Sequence, residues 1–410
     1  MRTLALNDIA FKSLYLHLPF CLKRCNYCDF LSHTYADVQA QASAYPSALR
    51  QEMRMYRAYA GELQSVYFGG GTPTMLPASE LCSLLDFIGR TFILSPGAEI
   101  TVECNPGTVD VGYLAELKSA GFNRLSIGAQ SFQDAELKML GRLHNTASIR
   151  NCVAAARHVG FDNISLDIIY ALPGQTLASL QYNLLAALKL APEHISLYSL
   201  QLDNDSIWGR EYAAGKLLAA DEDLEADMLQ MARGLLREQG FAQYEIANFA
   251  RRGERDFRSR HNRLYWQRED YLGVGLGAAS CLFMTRWQNV GTLDSYIESL
   301  SRLHRPKVEQ EQLTMAHTMS EVMFMGLRQT AGVDIYPVID RYCVDPLRFY
   351  DYELQGLFGQ GLLEYVEDAH SLRLTERGMM LANQVFLEFI KDETEDIQLG
   401  SQQDEPFFEI

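Results

Sequence analysis

The order of apolar and polar positions divides the chain into two stretches with different rhythms. Up to about residue 205, short β-branched or aromatic runs recur between longer segments of helical spacing. SLYLHLPF (13–20), SVYFGGG (65–71), EITVECNP (99–106), RLSIGAQS (124–131), NISLDIIYAL (163–172) and HISLYSLQL (194–202) each read as a buried strand. Most are near-continuously apolar, the pattern expected of parallel strands covered on both faces. The segments between them are helical; in 112–119, Leu114 and Leu117 precede a turn at Gly121. Strands alternating with helices predict right-handed βα units, and a partial (β/α)6 barrel is favoured over an open sheet. In either arrangement, ligands bind at the carboxyl ends of the strands. Cys21, Gly69 to Thr72, Glu103 to Pro106, Gln130 and Leu172 to Gly174 all fall there, so polar and glycine residues collect on one rim.

Beyond residue 205 helical spacing dominates 219–240, and YEIANFA (244–250) and the glycine-rich YLGVGLGAAS (271–280) follow. From about 310 the pattern reads helix, helix, hairpin, helix. Met319, Val322, Met323 and Leu327 form one apolar stripe; Leu354, Leu357 and Phe358 form another. LLEYVEDAHSLRL (362–374) reads as the hairpin, with Thr375 capping a final helix. The fold class is therefore α/β: a partial barrel over 1–205, a linking α/β segment over 206–305, a smaller α+β, winged-helix-like domain over 306–390 and an acidic, mobile tail over 391–410. The winged-helix-like part shows no basic recognition stripe and reads as a packing domain.

Composition narrows the function classes. With 410 residues and 48% apolar content, the chain can bury a large core and hold more than one domain. A net charge of −16 argues against a nucleic-acid partner, because phosphate binding needs clustered Lys and Arg. No run of 18 apolar residues occurs, and the opening MRTLALNDIAFK is too polar for a signal peptide. A cytoplasmic protein without an integral membrane segment is expected, with peripheral membrane contact left open.

The eight cysteines are not a disulfide framework, since five are scattered singly and three lie together. Cys21-Leu-Lys-Arg-Cys25-Asn-Tyr-Cys28 is a CxxxCxxC spacing. Three thiolates on one loop can hold three irons of a cubane and leave the fourth open to a ligand. Structural zinc is the alternative, with His17 or His33 as the fourth ligand.

The stretch YLHLPFCLKRCNYCDF (15–30) resembles the signature of the radical S-adenosylmethionine (SAM) superfamily. That resemblance implies a radical SAM barrel with a [4Fe–4S] cluster on Cys21, Cys25 and Cys28. SAM would chelate the open iron and be cleaved to a 5′-deoxyadenosyl radical. It also implies a SAM site. Gly70, Gly71 and Thr72 would meet the amino group, Glu103 and Asp167 the ribose hydroxyls or amino group, and Arg142 the carboxylate, with Gln130 beside them. Tyr15 and Tyr27 would flank the cluster. The plainer account makes each of these a buried polar group satisfied by its neighbours.

Over roughly residues 11–385 the chain is similar to the family of oxygen-independent coproporphyrinogen III oxidase. FGGGTPT, ECNPGT, RLSIGAQSF, GRLHN and DIIYALPGQT carry the likeness. Two features depart from that enzyme. Phe30 stands where it has a further cysteine, and 20 residues precede Cys21 where it has a longer extension. Both resemble the haem-binding branch of the family, regarded as haem chaperones. His261-Asn-Arg-Leu-Tyr265-Trp266 matches the HNxxYW pattern associated with haem in that branch, which implies His261 as an axial ligand. The alternative is a capping histidine among core aromatics. The resemblance implies haem as cargo, acceptor haemoproteins that include respiratory ones, an electron donor for the cluster, and no coproporphyrinogen dehydrogenase activity. A radical SAM enzyme acting on a porphyrin is the competing reading, and an unrelated enzyme sharing only the barrel is a third.

Overall fold

The computed structural model describes residues 10–391, so the acidic tail lies outside the described residues except for Lys391. Contacts divide the chain into two units. The first comprises the chain up to Tyr265 with Glu269–Phe283 and Trp287–Gln310; the second comprises Trp266–Arg268, Met284–Arg286 and the chain from Glu311.

In the first unit, β1 (Phe11–Leu18), β2 (Ala60–Gly70), β3 (Leu94–Cys104), β4 (Arg124–Gln130), β5 (Ile164–Tyr170) and β6 (His194–Ser199) lie side by side in chain order, each parallel to the next. These are the six runs read from the sequence. Beyond β6 the antiparallel β7 (Asn248–Arg251) is added, and on the other side of β1 lies β8 (Tyr271–Val274), parallel to it with Leu14 opposite Leu272. The glycine-rich stretch thus supplies a parallel strand that its pattern did not announce. The strand order has two ends, so the barrel is partial, as expected.

The strands alternate more than their apolar runs suggested. Leu14, Leu16, Val66, Phe68, Val102, Leu125, Ile127, Leu166 and Ile168 are fully buried on one face, as a face covered by helices must be. Between them stand Ser13, Tyr15, Ser65, Tyr67, Glu99, Glu103, Arg124, Ser126, Asp167 and His194, which meet one another on the other face. Both faces are buried, but only the outer one is apolar. The inner face carries polar side chains, many of which hydrogen-bond to neighbouring strands.

The covering helices follow local signals. Asp110 caps Val111–Ala120, Asn145 caps Thr146–His158 and Thr176 caps Leu177–Leu188, each accepting a backbone N–H of the first turn, worth about 1 kcal/mol. Val111–Ala120 ends at Gly121, whose φ of 113° suits glycine alone. Helical spacing over 219–240 becomes Glu222–Glu238.

The second unit contains helices Met315–Gly326, Ile335–Tyr342 and Asp351–Gly359, then the hairpin Leu363–Val366 and Ser371–Leu374, which Val333–Asp334 joins as a third strand. Thr375 accepts the Gly378 N–H at 3.0 Å at the start of the next helix. Met319, Val322, Met323 and Leu327 are buried together. Leu354 and Leu357 are buried as well, but Phe358, read as part of their stripe, is 40% exposed. No helix among the described residues is long and apolar enough to cross a membrane.

Candidate functional site

The loop after β1 carries the three cysteines and is tied down from several sides. Gly71 N–H bonds Leu18 O at 2.9 Å and Thr72 N–H bonds Phe20 O at 2.8 Å, fastening the turn after β2 to the loop. Asn26 holds the other end, its N–H on Leu140 O at 3.1 Å and its amide on Met139 O at 2.9 Å. Cys21, Cys25 and Cys28 are all free and half-buried. Two polar groups point at their sulfurs: Thr72 Oγ1 lies 3.6 Å from Cys21 Sγ, and Arg142 Nη1 lies 3.6 Å from Cys25 Sγ. Burial pushes the Cys21 thiol up and the Cys28 thiol to about 11. Thiolates there need a cationic partner to form, and iron is one.

The turn Gly69 to Thr72 follows β2 closely packed. A side chain on Gly71 would stand 2.9 Å from Phe20 N and O and 3.1 Å from Cys21 Sγ. Gly70, at φ 111°, would place its Cβ 2.7 Å from the His17 ring. Both positions require glycine to bring backbone N–H groups to the rim. Gly70 N–H donates to Glu103 Oε2 at 3.2 Å, and Tyr67 Oη donates to Glu103 Oε1 at 2.7 Å. Burial raises the Glu103 carboxyl to about 7 despite these donors.

The other sequence-predicted residues fall in three settings. Arg142 reaches Gly128 O at 2.9 Å, Asn105 and Cys25, so its guanidinium is on the rim. Gln130 ends β4 in the left-handed region at φ 66°, beside Gly128. Asp167 stands mid-strand rather than beyond a strand end; Ser126 Oγ donates to both its oxygens at 3.1 Å, and burial raises its carboxyl. Tyr15 Oη lies 3.1 Å from His17 Nδ1, inside the barrel. Tyr27 packs with the cluster of Leu140, Ile169, Leu172 and Trp208.

His261 lies apart from the rim. It is 2% exposed in the short helix Arg260–Trp266. Its Nδ1 is 2.9 Å from Ser65 Oγ and its Nε2 is 3.2 Å from Tyr265 Oη, so both ring nitrogens have partners. Burial first, and then the Arg124 charge, lower its pKa to about 3 and keep the ring neutral. An axial bond to haem iron would require the ring to leave one of those partners. Trp266 belongs to the second unit, where Arg328 lies over its ring at 4.5 Å.

Some contributors carry no motif signal. Asn105 donates to Thr72 Oγ1 at 2.8 Å and accepts from Arg142, bridging two candidate residues. A Cβ on Gly128 would meet Gln130, Asn105 and Arg142 within 3.3 Å. A cavity beside the cysteine loop is lined by Leu22, Cys25, Met75, Arg142 and His144, among others. His144 Nε2 is 3.3 Å from Ala129 O, and no partner to its Nδ1 is found among the described residues.

Residues 15–183 match the radical SAM superfamily, and residues 313–381 match the HemN C-terminal domain. The chain is 37% identical to the haem chaperone HemW of Bacillus subtilis over 92% of this chain and 99% of that one. It is 33% identical to radical S-adenosyl methionine domain-containing protein 1, mitochondrial, of Mus musculus, over 92% and 86%. Coproporphyrinogen III oxidase (HemN) of Escherichia coli has the same fold, with a TM-score of 0.78 and 23% identity over 93% of this chain and 91% of that one.

Proposed function

From a chain that belongs to the HemW family within the radical SAM superfamily, we propose a haem chaperone that binds haem and delivers it to acceptor haemoproteins. The observation that carries this reading is 37% identity to a haem chaperone across 99% of that relative's length, barrel and C-terminal domain together. Respiratory haemoproteins in the cytoplasm or at its membrane surface are the acceptors we propose, with a separate electron donor for the cluster.

Cys21, Cys25 and Cys28 are the residues to hold a [4Fe–4S] cluster, and the rim is the place for SAM. The support is the donor set and the family. Three thiols share one loop with an arginine and a threonine aimed at sulfur. Bound together, cluster and SAM supply one-electron chemistry. The chain's own part is to hold them: Gly70, Gly71 and Thr72 admit the ligand closely, Glu103 and Asp167 accept its hydrogen bonds, and Arg142 meets its carboxylate. Gln130, Tyr15 and Tyr27 wall the same space. Phe30, 58% exposed, offers no thiol beside the triad, which supports a protein that does not decarboxylate coproporphyrinogen.

For the haem ligand, His261 is the residue the family pattern proposes, while the geometry favours a second reading. His144 lines the cavity next to Cys25, and its Nδ1 has no partner to give up among the described residues. The test titrates haem into the anaerobically reconstituted protein and follows its transfer to an apo-haemoprotein, with coproporphyrinogen decarboxylation assayed alongside. Transfer without decarboxylation is expected; decarboxylation without transfer would overturn the chaperone reading. Replacing His17, His33, His144 and His261 in turn identifies the ligand by which variant loses the parental absorption spectrum.

A further inference from the structure

We propose that His261 is a positioning residue of the SAM site, holding Glu103 in place through Tyr67, with the helix Arg260–Trp266 closing the N-terminal side of the barrel. The proposal rests on the reading that SAM meets Glu103.

The contacts run without a break from helix to rim. Glu99, on the inner face of β3, accepts the N–H groups of Arg260 at 3.0 Å and His261 at 3.1 Å, which fixes where the helix starts. Ser65 Oγ, on the inner face of β2, engages His261 Nδ1 at 2.9 Å and sets the turn of the imidazole. Two residues further along β2, the Tyr67 ring stacks on that imidazole with centroids 4.9 Å apart and planes 26° from parallel. Tyr67 Oη then donates to Glu103 Oε1 at 2.7 Å, while Gly70 N–H holds Oε2 at 3.2 Å. A Cβ on Gly69 would stand 2.8 Å from Tyr67 Cε1 and 3.1 Å from Cδ1, so the ring has little room to move on that side. His261 therefore supports the ring, and that ring aims its hydroxyl at the carboxylate.

The family pattern gives His261 an iron to bind; the geometry gives it a ring to support. A supporting residue needs only a flat face of the right size, whereas a ligand needs a free nitrogen lone pair. His261→Phe separates the two, since phenylalanine keeps the face and cannot ligate iron.

The test uses the full chain, anaerobically reconstituted, with iron content confirming that each variant is folded and loaded. SAM affinity is read from the change SAM induces in the EPR spectrum of the reduced cluster, and haem binding is read from absorbance. His261→Ala and Tyr67→Phe should each weaken SAM binding roughly tenfold, as expected for loss of one hydrogen bond to a carboxylate. His261→Phe should restore most of that loss and leave the haem spectrum parental. Glu103→Gln is the control for the underlying reading. If it binds SAM as the parent does, Glu103 is not a SAM residue and both readings fall. If Glu103→Gln weakens SAM while His261→Ala and Tyr67→Phe do not, the positioning role alone is wrong. Loss of the parental haem spectrum in His261→Phe would likewise overturn it, and return His261 to the iron. Should His261→Ala fail to load a cluster, His261→Leu, which keeps bulk but loses the flat face, decides the outcome: weaker SAM binding than in His261→Phe is expected, and parental binding would overturn the role.

Discussion

The two ends of the barrel use similar side chains for opposite purposes. On the N-terminal side, Ser65, Glu99, Ser165, His194, Tyr244 and His261 are buried and bonded to one another. His194 meets Ser165 Oγ and Tyr244 Oη, both at 2.8 Å, and His261 meets Ser65 and Tyr265. At the rim, the cysteines are free and half-buried, Glu103 sits near 7, and His144 keeps a nitrogen without a partner among the described residues. The difference teaches that residue type does not mark a site. What marks it is hydrogen-bonding capacity that the fold has not already committed.

The sharpest way to break this contrast is at the cysteines. Ala at Cys21, Cys25 or Cys28 should abolish the iron–sulfur absorbance after reconstitution. Ala at Cys104 or Cys152, both buried, should leave it intact; equal loss in both groups would mean that the triad is not special. Next in size, Gly71→Ala should sharply reduce iron per chain, because its Cβ would press on Phe20 and Cys21. Full loading in that variant would show that the turn can shift at little cost.

At the opposite end the loss should be of stability rather than of cofactor. Glu99→Ala removes the acceptor of two backbone N–H groups and a carboxylate near buried Arg124. Urea unfolding should show about 3 kcal/mol lost, with cluster loading retained at low temperature. The effect that is smallest near neutral pH is a pH dependence. His261 titrates near 3 in the fold and near 6.5 when unfolded, so below pH 6.5 the unfolded chain takes up a proton that the folded chain refuses. Stability should be unaffected by this group above pH 6.5 and fall by up to about 1.4 kcal/mol per unit as the pH drops toward 3. His261→Phe should show a shallower decline over that window; an equal slope would place the titration elsewhere.

Much of this was legible in the order of residues. All six leading strands fall where apolar runs placed them, and CxxxCxxC with GGGTP locates the rim. Four things were not legible. Apolar runs such as SLYLHL hide a period of two, because Tyr and His count as half-apolar while facing a polar interior. The stretch YLGVGLGAAS gave no strand signal, since its glycines weaken propensity and its partner, β1, is remote in sequence. HNRLYW resembles a haem motif, and nothing in its pattern shows that Ser65 and Tyr67 lie against the imidazole; no local pattern connects residue 261 to residue 65. Phe358 sat on a helical stripe that burial did not extend to.

The pairing of β8 with β1 also bears on how the protein is made. Ser13 to Leu16 find their outer neighbours in Tyr271 to Val274, among the most distant contacts in the unit. A ribosome delivering the chain from its N-terminus exposes the whole β1 edge until residue 274 has emerged. A bare parallel edge of that kind templates aggregation. Chains truncated between residues 205 and 270 should therefore precipitate even though every rim residue has been synthesised, and supplying the missing strand in trans as a peptide is a way to keep them in solution.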